Sequence, residues 1–205
     1  MKSAIITLAI STLLGHALFA QKNKDPNLNA PVPITQKATY EDWCIVEPIP
    51  FDQPECWATS ASQCVAQGLL SNVNLTEDAN SGTYALVLTT GEDSIGMPLP
   101  AIAFFKNKIN TRPEKITGYY KADLKGEDYA SIHVTLTDSR GSIGWGVLDI
   151  TRSTNMYEHF EVPLHYYSAS VQPDSFSLII YSSYDLPTSG TTLTLDDLAL
   201  ETLTD

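Results

Sequence analysis

From residue 83 onward the chain repeatedly alternates apolar and polar residues over a handful of positions and then meets a turn former. In YASIHVTLTD (129–138), Ala130, Ile132, Val134 and Leu136 share one side, and Ser131, His133, Thr135 and Thr137 share the other. In DSFSLIIYSS (174–183), Phe176, Leu178 and Ile180 fall on one face and Ser177, Ile179 and Tyr181 on the opposite one. TYALVLTT (83–90), KITGYYKAD (115–123), HFEVPLHYY (159–167) and TLTLDDLAL (192–200) read the same way, with Gly118 as a possible bulge site. A period of two is the signature of half-buried strands. No segment sustains a helical period, although SASQCVAQGLL (60–70) predicts one short helix. Many short strands between Gly, Pro, Asn and Asp turns predict an all-β, antiparallel sandwich.

One of these strands poses a problem. In TTLTLDDLAL (191–200) the alternation of Leu193 and Leu195 with threonine is broken by two adjacent acids before Leu198 and Leu200 resume it. Two neighbouring carboxylates in a strand need a reason.

The N-terminus reads as an export signal. Lys2 precedes an apolar run over residues 4–14, and the small residues Gly15, Ala17 and Ala20 follow before the polar QKNKDPN. Residues 1–20 are therefore expected to be removed, residues 21–39 to form a polar, proline-containing arm, and residues 40–205 to fold as one domain. A secreted, periplasmic or cell-surface location follows, and no later stretch has the roughly 20 apolar residues of a membrane span. With 12 basic against 24 acidic side chains, nucleic acid and anionic membranes are poor partners. Cys44, Cys56 and Cys64 allow one disulfide in an oxidising compartment, with the pairing left open.

Catalytic motifs are scarce. The chain has no GxSxG, no HExxH and no phosphate-binding glycine loop. His159 and His165 are six apart, which would set both on one side of a single regular strand. A glycosidase would need two carboxyls facing each other at roughly 5 to 10 Å, and most acids here occupy turn-like contexts such as GED (91–93) and KGED (125–128). Aromatic residues are more informative. Three tryptophans and ten tyrosines are present, and Trp145, set among glycines in GSIGWGVLD (141–149), is the one most readily placed outside the core. An exposed ring stacks on the apolar face of a sugar while neighbouring polar groups bond its hydroxyls. Trp145, Tyr120, Tyr157 and His133 form the candidate ligand-contacting set.

Several motifs together resemble the PCMD (carbohydrate metabolism domain) proteins of Bacteroidetes, and more distantly carbohydrate-binding jelly rolls with a galactose-binding-like fold. They are YEDW (40–43), CWATS (56–60), RPEKITGYYKAD (112–123), DYASIHVTLTD (128–138), EHFEVPLHYYS (158–168), PDSFSLIIYSS (173–183) and SGTTLTLDDLAL (189–200). The resemblance implies an antiparallel jelly roll whose first strand, bearing YEDW, lies near its last, bearing LDDL. It also implies a structural calcium ion where those ends meet, held by Glu41 or Asp42 together with Asp196 or Asp197. The chain departs from the pattern at Cys56, where glycine is usual, and at Ala61, where asparagine is common. The function expected is an exported, non-catalytic module for oligo- or polysaccharide. The alternatives are a structural or adhesive protein that binds other surface proteins and, behind it, a carbohydrate-active enzyme.

Overall fold

The computed structural model describes residues 43–45, 52–54 and 57–202. The expected signal segment, the arm, Glu41, Asp42 and Cys56 lie outside the described residues.

Two antiparallel sheets face each other. The six-stranded sheet contains β3 (Trp57–Thr59), β8 (Ile102–Lys108), β10 (Ala130–Asp138), β11 (Gly141–Ile150), β13 (His165–Tyr166) and β14 (Ser175–Tyr181), in the order β13-β11-β10-β14-β8-β3. The five-stranded sheet contains β4 (Val73–Thr76), β5 (Ala85–Thr89), β9 (Lys115–Asp123), β12 (Glu158–Pro163) and β15 (Thr192–Glu201), in the order β12-β9-β15-β5-β4. Two small hairpins flank them, β1 (Trp43–Ile45) with β2 (Asp52–Pro54), and β6 (Gly91–Glu92) with β7 (Pro98–Leu99). The helix expected near residues 60–70 is present as α1 (Ala61–Ala66). Among the described residues no helix is long and apolar enough to cross a membrane.

The alternation decides which side chains fill the space between the sheets. Ala130, Ile132, Val134 and Leu136 from β10 and Phe176, Leu178 and Ile180 from β14 are buried there, opposite Leu86, Leu88, Leu193, Leu195 and Val162 from the other sheet. A one-residue slip would turn each set outward, so burial fixes the register. Cys64 is buried on α1 and carries a free thiol, which burial pushes to a higher pKa than usual. Apolar packing is the role the described residues give it.

One sequence expectation is revised. HFEVPLHYY is not one strand, because the chain leaves the five-stranded sheet after Pro163 and joins the six-stranded sheet at His165. His159 and His165 consequently sit on different sheets and form no pair. β1 pairs with β2, and β15 is flanked by β9 and β5. GSIGWGVLD, which placed Trp145 outside the core, is the body of the ten-residue strand β11. Gly144 and Gly146 point inward there, and a Cβ would lie 2.8 Å from the His165 carbonyl oxygen and 2.7 Å from that of Pro163, respectively. These glycines let the crossing segment pass directly over β11.

Candidate functional site

The paired aspartates resolve first. On β15 the register with β9 shifts between Asp196, opposite Tyr119, and Ala199, opposite Thr117. Asp197 and Leu198 thus face the single residue Gly118, which makes a β-bulge, and Asp197 adopts φ 53°. Aspartate tolerates that left-handed backbone better than most residues. Gly118 is not itself the bulge. It is the gap that accommodates one, since a Cβ there would meet Leu198 at 2.7 Å and Phe160 at 2.9 Å.

The bulge turns both carboxylates toward the loop that precedes β5. Asp196 is 3% exposed, and its Oδ2 accepts the backbone N–H groups of Asn80 at 2.7 Å and Ser81 at 3.0 Å, while Oδ1 accepts the Asp197 N–H at 2.7 Å. Asp197 accepts from Ser81 Oγ at 2.6 Å and from Asn80 Nδ2 at 2.9 Å. Burial pushes the Asp196 carboxyl above the usual carboxylate range, with the Ser81 and Asp197 amides pulling the other way. Three of the four oxygens of the pair therefore hold the loop, and the fourth, Asp196 Oδ1, holds the bulge. Among the described residues no three His, Cys, Asp or Glu groups come together in a way that could hold a metal ion. The described donors make a clamp of the pair, and Glu41 and Asp42, the other residues expected at a calcium ion, lie outside the described residues.

The candidate ligand set is dispersed. Tyr120 belongs to the core at 8% exposure, and its hydroxyl donates to Glu158 Oε2 at 3.2 Å. Tyr157 lies outside the five-stranded sheet, where its hydroxyl donates to the Asp78 carbonyl and Lys121 Nζ sits 5.4 Å from its ring centre. An open polar depression of about 280 Å³ is found on that sheet, lined by Lys121, Asp123, Thr154, Asn155 and Thr194 among others. Its Lys121 is already paired with Asp78. No aromatic side chain lines it.

Trp145 and His133, by contrast, share the outer face of the six-stranded sheet. Strand register arranges that face in three rows. The first runs His165, Trp145, Thr135, Ser177, Lys106. The second runs Val147, His133, Ile179, Phe104, Ala58. The third runs Asp149, Ser131, Tyr181, Ile102. Trp145 is 43% exposed and tilts against the His165 ring at 5.2 Å. It points outward because its two glycine neighbours point inward.

At the far corner a second aromatic group gathers around His133. Tyr181 meets it edge-on at 5.3 Å and Tyr184 lies at 4.7 Å, with Tyr129 a further 5.9 Å from Tyr184. Tyr181 was expected to show on this face, yet it is 7% exposed because its neighbours cover it. Burial pushes its hydroxyl up to about 12. His133 is half-buried, and burial pushes its imidazole below the usual value, opposed by the charge of Asp149. From the register, Trp145 and Tyr181 are two strands and four residues apart, a Cα separation of about 16 Å at ordinary strand spacing and rise. The face therefore offers two aromatic stations with hydroxyl and imidazole groups between them.

Tyr184 and Tyr129 had no sequence signal that set them apart, and His165 was singled out only with His159. Tyr184 follows β14 in a loop, and His165 joins Trp145 only through the crossover from β12 to β13.

No protein-family model matches the chain, and no curated protein sequence matches it. Solved structures do resemble it. A protein described as a "putative glycoside hydrolase" from Bacteroides thetaiotaomicron matches with a TM-score of 0.67 at 13% identity, covering 86% of this chain and 73% of that one. A second protein so described, from Bacteroides vulgatus, matches at 0.64 and 14% identity, over 80% of this chain and 96% of its own. A "non-crystalline cellulose specific carbohydrate-binding module" matches at 0.51 and 14% identity, over 84% and 96%. At such identities the likeness is one of architecture, and the chain shares with these proteins an antiparallel jelly-roll sandwich.

Proposed function

We propose that this chain is an exported, non-catalytic module that binds oligo- or polysaccharide on the outer face of its six-stranded sheet. The carrying observation is Trp145, held outward between two inward glycines, backed by His165 and continued along the face by Thr135 and Ser177. An indole face stacks on the apolar side of a pyranose, and side-chain hydroxyls and imidazole nitrogens bond its rim. The span to the Tyr181 corner suits an oligosaccharide better than a single sugar. Similarity to a cellulose-specific module supports the same reading. Export through residues 1–20 and kinship with the PCMD proteins belong to this proposal.

Catalysis is disfavoured by the charge pattern of the face. Its three rows bring one carboxylate, Asp149, which is bonded to Ser131 at 2.6 Å. Two-carboxyl hydrolysis needs a second acid across the ligand.

The test is a glycan array, with amorphous cellulose added, probed with residues 21–205 and with Trp145→Ala. Retention by the native chain and its loss in the variant are expected. No retention by a folded native chain, or undiminished retention by the variant, refutes the proposal and turns attention to a protein partner.

A further inference from the structure

The corner opposite Trp145 contains a polar chain that stacking alone leaves unused. Ser131 is wholly buried, and its Oγ lies 2.6 Å from Asp149 Oδ1 and 2.8 Å from His133 Nε2. A carboxylate only accepts, so the single hydroxyl proton goes to Asp149. The Ser131 oxygen is left to accept, and what it accepts from is an N–H on His133 Nε2. A neutral imidazole has one N–H. Nδ1 therefore carries a lone pair, and no described residue donates to it.

The order of this chain separates it from a catalytic triad. There the histidine stands between acid and hydroxyl and removes the hydroxyl proton. Here the hydroxyl stands in the middle, buried and turned toward the acid, so it is no nucleophile. Its effect is to transmit the position of Asp149 into the tautomer of His133.

Everything packed around the ring agrees with a neutral imidazole. From β11 it is faced by Val147 and Asp149, from β14 by Ile179 and Tyr181, from its own strand by Ser131 and Thr135, and from the following loop by Tyr184. Asp149 is the one charged group among them, and its near oxygen is taken by Ser131. The two tyrosine rings hold the imidazole in place, so its acceptor keeps a fixed position in the middle row.

We propose that His133 Nδ1 is the specificity-determining acceptor of the face, reading one hydroxyl proton of a neutral glycan. This rests on the glycan-binding reading above. An acidic sugar would bring its own charge against Asp149, so uronic-acid and sulfated glycans are excluded from this position. Protonation of His133 converts Nδ1 from acceptor to donor and removes the recognition. Burial holds the imidazole pKa down, so the acceptor persists through neutral pH and fails on acidification.

The experiment has two independent parts. Two-bond ¹⁵N–¹H correlation of the histidine-labelled free protein at pH 7.5 is expected to show the Nε2–H tautomer at His133. An Nδ1–H tautomer overturns the inference whatever the protein binds. Titration calorimetry then uses the neutral array glycan retained most strongly, at pH 7.5 and pH 5, with circular dichroism confirming the fold at each. Native binding is expected to be weaker at pH 5 than at pH 7.5, approaching a loss of about tenfold, the worth of one good hydrogen bond, as His133 becomes protonated. His133→Phe is expected to be weakened at both pH values. His133→Asn, which keeps an acceptor oxygen near the Nδ1 position, should bind equally at both. Native binding that is indifferent to pH and unchanged in His133→Phe overturns the role of His133 and leaves the glycan-binding reading standing. If the native chain binds no glycan, both fall.

Discussion

Asp196→Ala should separate a loop clamp from an ion site. The substitution removes an acceptor that serves three backbone amides, those of Asn80, Ser81 and Asp197. Hydrogen bonds to a charged acceptor contribute about 1.5 to 3 kcal/mol each, and a donor stranded without a partner costs about 1 to 3 kcal/mol. Two offsets reduce the sum. Burial of the carboxyl already opposes its ionisation, and water can reach the amides of an exposed loop. A net loss of about 3 kcal/mol remains. At about 2 to 4 °C per kcal/mol for a chain of this size, the melting temperature should fall by about 6 to 12 °C. Asp197→Asn keeps an acceptor for Ser81 and a residue type that tolerates positive φ, so it should cost less than about 1 kcal/mol. Differential scanning calorimetry with and without a calcium chelator reads all three conditions. The reasoning is refuted if chelation lowers the native melting temperature as far as Asp196→Ala does, or if Asp197→Asn matches Asp196→Ala. The first result would make the pair a cation site, and the second would show that Asp197 carries as much of the clamp as Asp196 does.

Three further outcomes follow from the geometry. Gly146→Ala places a methyl 2.7 Å from the Pro163 carbonyl oxygen and 2.9 Å from Val162 Cγ1, and overpacking of this kind should cost about 1 to 3 kcal/mol in urea unfolding. Tyr120→Phe loses the bond to Glu158, so stability should drop by about 1 kcal/mol or less while glycan binding stays unchanged. His133 is held below its ordinary pKa by burial, so the stability it confers is complete above about 6.5, its unfolded value, and is lost as pH falls through the lower folded value. The melting temperature of the native chain, measured against His133→Asn, should accordingly decline between pH 7 and pH 5.

The sandwich was legible because period-two alternation reports a buried face directly. β9 runs over the residues its pattern marked, and the inward sets of β10 and β14 are the ones buried. What stayed hidden depended on contacts between distant segments. The glycines around Trp145 leave room for a strand crossing from the other sheet, a long-range contact that the local sequence does not record. The alternation through HFEVPLHYY continued across a change of sheet, because local pattern does not record which partner a strand takes. Tyr120 looked like its neighbour Tyr119, and only parity against a fixed register sends one ring into the core. β8 was missed for a related reason. Phe104 and Phe105 are adjacent, and both faces of that strand carry aromatic bulk.

The position of β15 bears on how the molecule comes into being. It lies in the middle of its sheet, hydrogen-bonded to β9 on one side and β5 on the other. Its partners are therefore made about seventy to one hundred residues before it. Until residues 192–201 emerge, the five-stranded sheet is two separate pieces with open edges facing one another across an empty slot. Such long-range pairing slows folding, and open edges invite pairing with other chains. Completion of the sandwich should thus be a late, nearly all-or-none event, gated by the arrival of a single strand. A nascent chain stopped short of that strand would be protease-sensitive throughout, and not merely at its end.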